Sequence, residues 1–108
     1  MIETVRLSQD QRNKLLRIRK KTGIKNWNVL CRWALCYSLA AEEEPPQYVR
    51  GGKVGIEIDW PTFTGREHKP LYDAIFQYLG TAKFYSHVSR GIDILTNKKD
   101  LTELLRVS

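Results

Sequence analysis

Apolar and polar residues alternate in two short stretches of this chain and follow helical spacing over most of the remainder. At residues 2–7, Glu3, Val5 and Leu7 share one face and Ile2, Thr4 and Arg6 the other, which is the period of a strand. Ser8 followed by Gln11 is a capping-box start. It predicts a helix from Gln9 to Lys21, stopped by Gly23. A second helix is expected from Asn26 to Ala41, where Glu42-Glu43-Glu44-Pro45-Pro46 breaks it. Further on, Val54, Ile56, Ile58 and Trp60 alternate with Gly55, Glu57 and Asp59, the pattern of a half-buried strand closed by Pro61 and Gly65. Pro70 suits the first turn of a third helix, with Leu71, Ala74, Ile75, Tyr78 and Leu79 at helical spacing. Phe84, Val88, Ile92 and Leu95 mark a fourth from Lys83 to Thr96, with Gly91 inside it, and Leu101 to Leu105 predicts a last short one.

These elements describe a mainly α fold with minor β, built as a single domain over residues 1–108. Residues 1–41 form a strand-helix-helix unit in ribbon-helix-helix order, 42–53 a linker, and 54–108 a strand with two to three further helices. With 42% hydrophobic and 28% charged residues the chain has enough apolar surface to fold, so disorder is not expected. No apolar run reaches the ~18–20 residues of a membrane helix, and the N-terminus lacks the apolar core of a signal peptide. The expectation is a cytoplasmic protein that makes no membrane contact, in which Cys31 and Cys36 stay reduced.

Charge is placed unevenly along the chain. Residues 1–25 hold Arg6, Arg12, Lys14, Arg17, Arg19, Lys20, Lys21 and Lys25 against Glu3 and Asp10, while the acids and bases of residues 26–108 cancel. The whole net charge of +6 therefore arises in one short segment, which makes a polyanion such as nucleic acid the first candidate partner. On the first helix Lys14, Arg17, Lys20 and Lys21 occupy one side and Leu15 and Ile18 point away from it. Like charges at this spacing repel, and only Asp10 lies near enough to lace them as in an ordinary solvated face. The stripe carries no base-reading code, so phosphate contact without sequence information is the expectation. Arg12 and Arg19, on another side, suit pairing with acids of a neighbouring subunit.

The second helix has one charged residue, Arg32, between Trp27 and Ala41. Its apolar side chains cover most of the circumference, so it must be buried nearly all round. A monomer of this size has difficulty surrounding one helix, which favours a homo-oligomer over a central helix wrapped by the C-terminal elements.

Catalytic signals are weak. His68 and His87 lack partners at metal-ligand spacing, and Cys31 and Cys36 in C-x4-C lie about 140° apart on a helix, so no metal site is expected. Gly51-Gly52-Lys53 is too short to cradle a nucleotide. Glu57 and Asp59 fit the wet face of an edge strand better than an acid-base pair. Both cysteines lie in the apolar helix and are expected to be inert core thiols. No enzymatic activity and no cofactor are expected. The strand-helix-helix order supplies an alternative function, a sequence-specific repressor reading bases through Thr4 and Arg6 with Asn26, Trp27 and Asn28 holding a phosphate. Ile2 on the same strand face reads bases poorly, and the charge sits on the helix instead.

Ile2-Glu-Thr-Val-Arg-Leu-Ser8, the run Trp27-Asn-Val-Leu-Cys-Arg-Trp-Ala-Leu-Cys36 and Ser38-Leu-Ala40 resemble the DndE family of bacterial DNA sulfur modification (phosphorothioation) proteins. The similarity continues through Ile58-Asp-Trp60, Phe63-Thr-Gly65 and His87-Val-Ser-Arg-Gly-Ile92, and is weakest in the Glu-Pro linker and residues 97–108. The resemblance implies a non-catalytic DNA-binding component of the machinery that replaces a non-bridging phosphate oxygen with sulfur. It further implies a tetramer that favours nicked duplex through surface lysines, with the sulfur-transfer and ATPase proteins of the pathway as partners. The DNA contacts carry over to Lys14, Arg17, Lys21 and Lys25, with Lys20 on the same basic face. Arginine at position 17 keeps the charge but changes the hydrogen-bond geometry. A scaffold subunit for the modification enzymes, docking them through the neutral C-terminal half, is a third reading, and persulfide transfer through Cys31 or Cys36 a remaining sulfur-linked one.

Overall fold

Ser8 ends one element and opens the next. In the computed structural model, which describes residues 2–49 and 51–98, β1 (Thr4–Ser8) runs directly into α1 (Gln9–Thr22). The Ser8 hydroxyl accepts the Gln11 N–H at 3.1 Å and the Gln11 side chain accepts the Ser8 N–H at 3.0 Å, the reciprocal pairing that the sequence predicts. Gly23 in the left-handed region ends α1, and α2 (Trp27–Ala40) follows. β2 (Val54–Asp59) leads into α3 (Trp60–Thr64), a short helix that takes up Trp60, which the alternation places in the strand, and ends at Gly65, where the sequence has the strand already closed. Pro61 occupies its first turn, a position that needs no N–H. α4 (Lys69–Thr96) covers both predicted C-terminal helices, bent where Gly80 takes φ 79° and ψ 169°. The predicted helix at 101–105 lies outside the described residues.

β1 and β2 pair antiparallel within the chain, with Val5 opposite Ile58 and Leu7 opposite Ile56. Those four side chains turn into the core, while Arg6 and Glu57 oppose each other on the exposed face. On the free edge of β1 the Arg6 N–H donates to the Tyr85 hydroxyl of α4 at 3.0 Å. The strand-helix-helix order is present, but here β1 pairs with a strand of its own chain and α4 attends its other edge. A ribbon shared between two copies would pair β1 differently.

The core joins the inner faces of both strands to α1, α2 and α4 through an aromatic cluster. Trp60 stacks on Phe63 at 5.3 Å and meets Phe76 and Phe84 edge-on. The Trp60 indole N–H donates to Asp73 at 2.7 Å, and Lys69 donates to the same carboxylate at 2.9 Å. The Trp60 bond first and the Lys69 bond second hold the Asp73 carboxyl below the usual carboxylate range. Arg32, the one charge of α2, donates to the Phe63 carbonyl at 2.9 Å and so ties α2 to α3.

α2 and α4 touch along the positions that the sequence leaves without a role. At Gly91 a side-chain Cβ would lie 1.8 Å from the Ala34 carbonyl oxygen, so only glycine admits this approach. The adjacent Arg90 donates to the Ser38 hydroxyl at 2.8 Å, the Ser38 carbonyl at 2.7 Å and the Glu43 carbonyl at 2.6 Å, tying down the end of α2. Ser38 Oγ, which accepts from Arg90, also shares a hydrogen bond with His87 Nδ1 at 2.8 Å. Desolvation first, and Arg90 second, push the His87 pKa down. The unfolded chain therefore binds a proton near pH 6.5 that the folded chain refuses, and stability falls as pH drops through that value. The melting temperature is expected to decline between pH 7.5 and 5.5, and His87→Gln to flatten that decline in calorimetry.

The 42–53 segment is not a loose tether over its described part. Tyr48 donates its N–H to Ser86 Oγ and its hydroxyl to Gln11 Oε1, both at 3.1 Å, and so bridges α4 and α1.

Candidate nucleic-acid interface

The basic helix lies on the core through Gln11, Leu15 and Ile18, one side of α1. Helical geometry then sets Asn13, Arg17 and Lys20 on the opposite crest, and all three are exposed. The remaining cations fall on the two flanks, where neighbouring elements reach them.

The flank toward α4 holds Lys14 and Lys21. Lys14 Nζ donates to Asp93 Oδ1 at 2.8 Å and lies 3.5 Å from Asp10 Oδ2. The Asp93 hydrogen bond is the main cause of its raised pKa. Lys21 Nζ donates to the carbonyls of Thr96 and Lys98 at 2.5 and 2.8 Å, neutralising the negative C-terminal end of α4. On the other flank Arg19 places its guanidinium 4.9 Å from the Trp27 ring centroid, a contact within the chain where pairing with another subunit's acids is expected.

The predicted basic stripe thus divides by function. Lys14 and Lys21 fasten α1 to α4. Arg17, Lys20 and Lys25 are exposed, and among the described residues none of the three has an ion pair or side-chain hydrogen bond. Sequence spacing does not separate these groups, because Asp93 and the end of α4 lie more than seventy positions away. Lys14→Gln, Asp93→Asn and the pair of changes together are expected to give a coupling of about 0.5 kcal/mol in urea unfolding, the worth of a half-exposed ion pair.

α2 is buried on the side that meets α4, through Leu30, Cys31, Ala34, Leu35 and Ser38. Its opposite side, Val29, Trp33, Cys36 and Ala40 at helical spacing, runs from half-buried to exposed. The structure corrects the expectation of two core thiols. Cys31 is fully buried, and burial pushes its pKa up to about 12, so it is inert. Cys36 is exposed, with its Sγ 3.9 Å from the Tyr72 hydroxyl. The spacing that forbids joint chelation is the reason: turning Cys31 inward turns Cys36 out.

Glu57 and Asp59 both lie on the exposed face of β2, as their alternation predicts. Among the described residues no cluster of three or more His, Cys, Asp or Glu side chains could hold a metal ion, and no helix is long and apolar enough to cross a membrane. A cleft beside β1, lined by Arg6 and Lys53, has no counterpart in the motifs read from the sequence. Its signal there is limited to Lys53 following two glycines.

Residues 4–103 match the family model described as DNA sulphur modification protein DndE. No match to a curated protein was found.

Proposed function

The chain belongs to the DndE family and so has its place in DNA sulfur modification, and from that premise we propose that it is the non-catalytic DNA-binding component of the system. The observation that carries this reading is the exposed crest of α1. Arg17 and Lys20, with Lys25 at the following turn, present charge without partners among the described residues, in a chain whose +6 arises wholly within residues 1–25. Cations aimed at phosphates give affinity without base reading. A nicked duplex is the favoured target, since a break adds local flexibility to full backbone charge and lowers the cost of fitting DNA to a rigid surface.

The apolar outer face of α2 supports assembly into a homo-oligomer, proposed as a tetramer, through Val29, Trp33, Cys36 and Ala40. Assembly repeats the α1 crest around the symmetry axis and multiplies the phosphate contacts. The sulfur-transfer and ATPase proteins of the pathway are the proposed partners in the bacterial cytoplasm.

Competition among intact, nicked and single-stranded DNA at two salt concentrations tests the reading. Binding should rank nicked duplex first, fall with salt for unrelated sequences alike, and yield no motif in random-site selection. A preferred operator sensitive to Thr4 and Arg6 would instead indicate a repressor, and no DNA binding at all a scaffold.

A further inference from the structure

We propose that the cleft where the β1–β2 ribbon meets the head of α1 is a seat for a phosphate monoester, suited to the 5′-phosphate of a DNA strand end. The cleft has a volume of about 290 Å³, and its polar lining comprises Arg6, Ser8, Tyr48, Gly51, Gly52 and Lys53. Two of these are cations and none is a carboxylate. The Arg6 guanidinium has a weak hold on Glu57 at 3.8 Å, with both side chains more than half exposed, so an incoming anion can take it over. Lys53 is exposed and has no side-chain partner among the described residues.

The neutral lining suits an anion as well. Ser8 Oγ accepts the Gln11 N–H, which leaves its own proton to donate, whereas the Tyr48 proton is already directed to Gln11 Oε1. Gly51 and Gly52 carry no side chains, so an oxygen atom can approach their backbone amides closely. The Lys53 carbonyl points elsewhere, accepting the Gln9 N–H at 2.9 Å. Ser8 is the N-cap of α1, so the positive end of a fourteen-residue helix borders the cleft.

The shape selects the kind of phosphate. An internal phosphodiester carries one charge and is flanked by two sugars, which hinder its entry into a recess. A terminal phosphate projects from the strand and carries nearly two charges at neutral pH, matching the two cations. A nick supplies such an end. The strand-end assignment rests on the DNA-binding reading above; the phosphate chemistry does not, and a free phosphate monoester offers the same group.

The test uses the full chain with nicked duplexes that differ in carrying a 5′-phosphate or a 5′-hydroxyl at the break. Wild type should bind the phosphorylated nick roughly tenfold more tightly, the worth of one charge-assisted hydrogen bond. Lys53→Gln and Arg6→Gln, both on exposed side chains, should each bring that ratio close to one. A second arm without DNA titrates inorganic phosphate and follows the Gly51 and Gly52 amides by NMR. Shifts in wild type that vanish in Lys53→Gln support the seat even if the DNA reading fails. Shifts without any dependence on the 5′-phosphate support it as a seat for a small phosphate compound. A ratio of one in wild type together with unmoved glycine amides overturns it.

Discussion

Gly91→Ala is expected to destabilise the protein by about 3 kcal/mol or more and to lower its melting temperature by well over about 10 °C. Helix propensity alone gives the opposite sign, since alanine in mid-helix is favoured by about 1 kcal/mol over glycine. Packing overrides it here. The added methyl would sit 1.8 Å from the Ala34 carbonyl oxygen, 2.2 Å from its carbon and 2.7 Å from its Cα. All three are backbone atoms, so no rotamer change relieves the overlap and α2 must move off α4. That displacement also strains the Arg90 and His87 bonds to Ser38. Because the overlap is with backbone, Ala34→Gly in the same chain should restore little. Thermal melts of the single and double variants check this, and a stable Gly91→Ala protein would contradict the close helix approach.

The sequence makes the N-terminal third legible because its signals are local. The capping box at Ser8 and Gln11, the Gly23 stop and the alternation of β1 act over a few residues, and each appears where expected. Long-range partners leave no such trace. Nothing in the spacing of Lys14 and Lys21 announces Asp93 or the carbonyls of Thr96 and Lys98. Arg90 and Gly91 stand in a helical stretch with no sign of the chain segment that they meet. β1 reads as a strand, but its pairing with β2 across half the chain is set by the inward turn of Val5, Leu7, Ile56 and Ile58. The apolar count of α2 suggests burial all round, whereas α4 covers one face and leaves Cys36 exposed.

Of the five basic positions in the predicted site, the structure separates two that hold the fold from three that point outward. Charge reversal at Lys14 or Lys21 would therefore confound binding with packing. Arg17→Glu combined with Lys20→Glu avoids this, since neither side chain has a partner among the described residues. The pair of reversals lowers the formal net charge from +6 to +2, as each removes two units, and places repulsion on the α1 crest. In the proposed oligomer the loss at each protomer adds to the next, so affinity for duplex should fall by more than about a hundredfold at moderate salt.

The most direct measurement is fluorescence anisotropy of a nicked duplex titrated with wild type and with Arg17→Glu/Lys20→Glu, alongside melting and sedimentation of both proteins. The expected result is the hundredfold loss of affinity with unchanged melting temperature and unchanged assembly. Wild-type affinity in a folded, normally assembled variant would contradict it.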